Sequence, residues 1–98
     1  MKTKLLKIIN HYGIDNQQRK LAEEVFELQK VIDIAEASRL VGISNDISQL
    51  SKENLEEEIA DVCVLLMQFA NYYKLDVGNI GKVIDEKIDR TIGRIKNE

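Results

Sequence analysis

Two stretches of this chain repeat one pattern of acidic and apolar residues in the same helical register. Leu21-Ala22-Glu23-Glu24-Val25-Phe26-Glu27-Leu28 matches Leu55-Glu56-Glu57-Glu58-Ile59-Ala60-Asp61-Val62, an offset of 34 positions (55 minus 21). Residues three apart on an α-helix share a face, so Glu24 with Glu27, and Glu58 with Asp61, each make a carboxylate pair. At about 100° per residue, Glu24 lies between Leu28 and Val31 around its helix, and Glu58 lies between Val62 and Leu65. Both pairs border an apolar stripe, whereas a solvated glutamate normally lies opposite one. Two helices that bury these stripes against each other can point four carboxylates at one spot.

Such a gathering is costly. Two like charges about 4 Å apart repel by about 4 kcal/mol at an effective dielectric of 20. Four carboxylates stay ionised only beside a cation; otherwise some take up protons. Either pair alone reads as a solvated helix edge. Two pairs in matching register, both on a stripe margin, read as a metal site. An all-oxygen ligand set favours Mg²⁺ or Mn²⁺ over Zn²⁺, and with His11 the only histidine a histidine-rich zinc site is excluded.

The rest of the pattern predicts an all-α chain. There is no proline and there are only five glycines among 98 residues, so helix breakers are scarce. A chain of this length makes one domain, 1–98. A first helix is expected over 3–12, with Leu5, Ile8 and Ile9 on one face and Gly13 as its stop. Asp15 is expected to cap the second helix, with Gln18 in capping-box position, Leu21, Val25, Leu28, Ile32 and Ala35 as its stripe, and Gly42 as its end. Residues 43–51 read as a polar, serine-rich connection. Ser51 is the expected cap of a third helix reaching about residue 73, and Asp76 that of a fourth. The third helix is apolar nearly all round from Val62 to Ala70, which is the pattern of a helix buried on several sides. A four-helix monomer of 98 residues has trouble covering it completely. The expected architecture is therefore a four-helix bundle-like fold completed by a second subunit, as a homodimer or homotetramer.

Charge and cysteine use narrow the partners. A net charge of −3, from 14 basic and 17 acidic residues, argues against nucleic acid or an anionic membrane surface. The longest apolar run is too short for a bilayer and contains Asp61 and Gln68. The first residues make a poor signal peptide. Cys63, alone in an apolar helical stretch, is expected to be a buried, inert thiol. A cytoplasmic protein follows. Basic residues nevertheless crowd the last helix. Lys87 and Arg94 fall beside its apolar face of Ile80, Ile84 and Thr91, with Arg90 further round. They are candidates to pair with the carboxylates or with a ligand's phosphates; the alternative is side chains that snorkel to solvent or form salt bridges within the bundle.

This combination resembles the MazG-like members of the all-α nucleoside triphosphate pyrophosphohydrolase superfamily. The resemblance runs from about Tyr12 to Arg94. The family's ExxE is similar to Glu24-Val25-Phe26-Glu27, and its ExxD to Glu58-Ile59-Ala60-Asp61. A KxxxNxxR-type element is similar to the segment from Lys87 to Arg94, with Thr91 where asparagine is common. Tyr12-Gly13 followed by Gln17 resembles short, phage-type members. The resemblance implies hydrolysis of a nucleoside triphosphate between its α and β phosphates, giving a monophosphate and pyrophosphate. It implies Mg²⁺ held by Glu24, Glu27, Glu58 and Asp61, with Glu24 or Glu27 as general base. Lys87 and Arg94 would stabilise phosphate charge, and Gln17 and Arg90 would join them in binding substrate. A pyrophosphohydrolase of phosphoribosyl-nucleotides and a catalytically idle nucleotide- or metal-binding helical module are the competing expectations.

Overall fold

The computed structural model describes residues 2–42 and 46–98. Every regular element within them is an α-helix: α1 (Lys2–Tyr12), α2 (Ile14–Val41), α3 (Gln49–Tyr72) and α4 (Val77–Lys96). Among the described residues no helix is long and apolar enough to cross a membrane.

The helix boundaries follow from a few residues. Gly13 stands between α1 and α2 at φ +88°, a conformation that glycine adopts without a steric penalty. Its N–H still donates to the Ile9 carbonyl (2.8 Å), while its own carbonyl already accepts from the Gln17 N–H (3.1 Å). The two helices are therefore joined by one residue, and α2 starts without a side-chain cap. Asp15, expected to cap α2, instead lies inside its first turn, where its charge still suits the helix dipole. Gly42 ends α2 as expected.

The cap of α3 is Ser48, three residues before the expected Ser51. The Ser48 hydroxyl accepts from the Ser51 N–H at 3.1 Å, so Ser51 is the capped residue rather than the cap. Of the expected connection, residues 43–45 lie outside the described residues, and 49–51 already belong to α3. At the other end α3 closes in a Schellman arrangement. The Leu75 N–H reaches back to the Ala70 carbonyl (2.8 Å) and the Lys74 N–H to that of Asn71 (3.2 Å). Lys74 occupies the left-handed position at φ 57°, where glycine is usual and any other residue costs roughly 1 kcal/mol. Asp76 caps α4 as expected, accepting from the Asn79 N–H at 3.1 Å.

Packing involves three helices. α2 and α3 share the largest interface, and α1 lies on both. Gln17 meets Gln68, and Glu24 meets Glu58 and Asp61. Positions that rise along α2 thus fall along α3, and the two run antiparallel. The buried apolar residues are Leu5 and Ile9 of α1, Ala35 of α2, and Leu65 and Ala70 of α3. α4 has no comparable interface with any other helix and buries no residue. Its apolar face, with Ile80, Ile84, Ile88 and Ile95, is open.

The expected all-α chain of four helices is present, and within one chain α1, α2 and α3 pack together while α4 has no comparable interface. One expectation is corrected. Cys63 is exposed, because it lies on a face of α3 that neither α1 nor α2 covers; Ile59, Val64 and Leu66 are exposed as well. The radius of gyration shows the same openness. It is 17.0 Å, against about 13 Å for a compact chain of this length.

With so small a core, one side chain matters greatly. Ile9 is 1% exposed, so Ile9→Ala is expected to lower unfolding free energy by about 2–4 kcal/mol. Ile34→Ala, at an open position, should change it by less than about 0.5 kcal/mol. Urea unfolding of both variants checks the contrast.

Candidate functional site

The seam between α2 and α3 gathers the acidic residues. Glu24, Glu58 and Asp61 each place a carboxylate oxygen within 4.8 Å of the others. Glu24 and Glu58 are half-buried, while Asp61 opens to solvent. The three come together because Glu24 sits on the margin of one packed stripe, and Glu58 and Asp61 on the margin of the other. Glu27, the fourth expected member, stands outside the triad and pairs with Lys30 at 3.5 Å. Its charge still acts on Glu58.

Glu58 is the strained member. Its Oε2 is sealed from solvent and has no hydrogen-bond partner, the one such side-chain atom among the described residues. Burial holds its carboxyl above the ordinary 4.5, and the charges of Glu24, Asp61 and Glu27 push the same way. A hydrogen bond with Glu24 adds to the rise, since only the protonated acid can donate one. Against these, Lys20 reaches Glu24 from one turn earlier (3.5 Å), with its own side chain half-exposed, and such a pair contributes little. The donor set fits a hard divalent cation: three carboxylates converge, and one buried oxygen lacks any partner.

A cleft of about 480 Å³ runs from this triad along the α2–α3 seam, within the range of small-molecule sites. Glu24 and Asp61 lie at one end. Gln17 and Gln68 line it further along, with Tyr12 and the apolar Val64 and Leu65. The Gln17 Nε2 donates to the Gln68 Oε1 at 2.8 Å, and the two side chains are 4% and 2% exposed.

Of the expected site residues, the structure brings together Gln17, Glu24, Glu58 and Asp61, and leaves Glu27 at the edge. Lys87, Arg90 and Arg94 remain on α4, and among the described residues none of them forms an ion pair. The Thr91 hydroxyl donates to the Lys87 carbonyl within α4 (2.9 Å). Neither Lys20 nor Gln68 follows from the acidic motifs, yet both were legible. Lys20 precedes Glu24 by four residues, and Gln68 follows Asp61 by seven, so each shares a face with a carboxylate. Gln68 is also the polar interruption of the apolar run in α3.

No protein-family model, no curated protein and no solved structure matches the chain. The site therefore rests on its own geometry.

The raised Glu58 carboxyl links stability to pH. A group whose folded value exceeds its unfolded value keeps its proton longer in the folded state. Its ionisation costs stability, fully above the folded value, and the cost disappears as pH falls towards 4.5. Glu36 acts in the opposite sense, lowered mainly by its hydrogen bond with Arg39. So does Asp46, lowered mainly by the Ile47 N–H; both lose their contribution only at more acidic pH. The metal-free chain is therefore expected to melt at rising temperature as pH is brought from about 8 to about 5. Mg²⁺ should raise the melting temperature at the alkaline end and lose that effect at the acidic end. Thermal melts across this range, with Glu58→Gln as the control that abolishes the trend, provide the check.

Proposed function

We propose that this chain is a Mg²⁺- or Mn²⁺-dependent nucleotide pyrophosphohydrolase, splitting a nucleoside triphosphate between its α and β phosphates. The observation that carries this reading is the sealed, partnerless Glu58 oxygen among Glu24 and Asp61, at the end of a cleft. A structural glutamate would have a partner there. A divalent cation, when bound, would neutralise phosphate charge and help position water. Glu24, Glu58 and Asp61 would hold it. Glu27, outside the triad and solvent-accessible, suits the general base that takes a proton from the attacking water. Water adds to a phosphorus, the bridging P–O bond breaks, and the pyrophosphate oxygen leaves with its electron pair. The motif order ExxE then ExxD and the basic last helix support the same reading through their resemblance to MazG-like enzymes.

The cations Lys87, Arg90 and Arg94 lie on a helix without a partner, so we infer that a second copy completes the site. Surface area supports this. The chain exposes 7806 Å², whereas a folded monomer of 11.2 kDa is expected to expose about 5,700 Å². The excess, about 2,000 Å² per chain, is enough for a large homodimer interface. Exchange of α4 between two copies would cover its isoleucines and the open face of α3. It would also set basic side chains against a carboxylate triad short of positive charge.

A panel of NTPs and dNTPs with Mg²⁺, read by product, tests the chemistry. Monophosphate plus pyrophosphate is expected; diphosphate plus phosphate, or no turnover of any nucleotide, overturns the reading. Glu58→Gln should cut turnover by on the order of 100-fold while raising the metal-free melting temperature.

Mixing two inactive variants tests the exchange. Glu58→Gln and Lys87→Ala, each inactive alone, should regain about a quarter of full activity if α4 acts across a dimer. Half of the random dimers would be mixed, each with one undamaged site of two. No recovery, or a monomeric mass in sedimentation, places the cations within one chain.

A further inference from the structure

The Gln17–Gln68 pair has more hydrogen-bonding capacity than the protein uses. Each side chain is more than nine-tenths buried, and among the described residues they bond only to each other. A carboxamide offers two N–H donors and a carbonyl acceptor. One shared bond leaves the donating glutamine its carbonyl and one N–H, and leaves the accepting glutamine both of its N–H groups, so a free acceptor stands on one residue and free donors on both. Turning both amides over exchanges these roles but keeps a free acceptor on one residue and free donors on both, so the pattern does not depend on how O and N are assigned. The free groups are not sealed, because Glu58 Oε2 is the only buried side-chain polar atom without a partner among the described residues. Both residues line the cleft.

We propose that this pair reads the edge of a nucleobase. The inference rests on the hydrolase reading above and assigns the far end of its cleft. An adjacent donor and acceptor match the hydrogen-bonding edge of a base, where an N–H or amino group stands beside a ring nitrogen or carbonyl. Tyr12 lines the same cleft and is 57% exposed. Its ring stands perpendicular to that of His11, with centroids 4.8 Å apart, and an exposed aromatic ring beside the cleft is a surface on which a base can stack. Val64 and Leu65 supply apolar wall. The spacing fits a nucleotide. Gln17 lies seven residues before Glu24, and Gln68 seven after Asp61. That is about 10 Å, or two helical turns, on both helices, a gap that a pentose bridges between base and phosphates. Lys20, one turn from Glu24 on the cleft wall, stands where the phosphates would begin.

Discrimination here should respond to charge in a defined way. Gln68→Glu removes the free donors of residue 68 and adds an acceptor oxygen beside the Gln17 carbonyl. Guanine, with adjacent N1–H and N2 amino donors, becomes the best match. Gln17→Met removes one partner and leaves the other buried amide unpaired, so it should weaken binding and flatten base preference.

The test uses the full-length chain and ¹⁵N-labelled glutamine side chains in NMR titrations with adenosine, guanosine, cytidine and uridine, without metal. Inorganic tripolyphosphate and the four NTPs with Mg²⁺ are assayed for hydrolysis in parallel. The expected result is a shift of both side-chain amide signals by at least one nucleoside. Gln68→Glu should raise binding of guanosine relative to cytidine by tenfold or more. Should that variant fail to fold, Gln17→Met/Gln68→Leu, which removes both partners together, should bind all four nucleosides with equal weakness. The inference is overturned if no nucleoside moves these signals, or if base ranking is unchanged in the variants. Nucleoside binding without triphosphate cleavage would remove the hydrolase reading and leave the base site. Cleavage of NTPs and tripolyphosphate alike, with no nucleoside binding, would do the reverse.

Discussion

The antiparallel seam between α2 and α3 is the contact on which the rest of this molecule depends. Burying two apolar stripes against each other is the main favourable term available to so small a core. The same contact drags Glu58 into an environment that penalises its charge and sets Glu24 and Asp61 beside it. A hydrophobic interface therefore carries an electrostatic penalty at one end, where like charges crowd Glu58. At the other end the seam buries a hydrogen-bonded pair of amides. Apolar packing fixes the distance between these two polar features, because helices of regular rise hold both.

Much of this was legible because it is periodic. The stripe margins of Glu24 and Glu58 follow from residue spacing alone, and they do converge. Gly13 and Asp76 were legible because each has one dominant chemical use, a positive φ and a side-chain cap. The misses have a common cause. Periodicity says which face of a helix is apolar, but not what covers it. α4 carries an apolar face that reads as core in any sequence, yet within the chain it faces nothing. Cys63 was read as buried from its apolar neighbours, on a helix that packs on one side only. The choice of Ser48 over Ser51 as cap turned on one hydrogen bond, in a stretch where two serines offer the same chemistry.

Lys74 decides how far that missing cover is structural. A residue other than glycine in the left-handed position resists being there, yet here it closes α3 with both backbone bonds of a Schellman turn. The turn ends α3 firmly, and Asp76 starts α4 at once with a side-chain cap. Two well-formed helix ends separated by so few residues give α4 a defined direction. The result is an amphipathic helix whose apolar face no other helix of the chain covers. Open apolar residues lie on the face of α4 and the outer side of α3, and also along α2, where Phe26, Ile34 and Val41 are exposed.

Charge distribution constrains what would cover the face of α4. The carboxylates of α2 and α3 occupy the margin of an interface already formed, and their nearest cation, Lys20, is half in solvent. The cations of α4 border an apolar face that is open within the chain. A partner that covered the isoleucines with acidic side chains would satisfy Lys87 and Arg94 and leave Glu58 as it is. A second copy of this chain would satisfy both at once, because it presents the triad that lacks positive charge and the helix that lacks negative charge. Symmetry makes that exchange reciprocal, and a reciprocal contact counts each favourable interaction twice. Under the proposed exchange, the partnerless Glu58 oxygen and the bare α4 would have one origin, each chain supplying half of the contact its charges require.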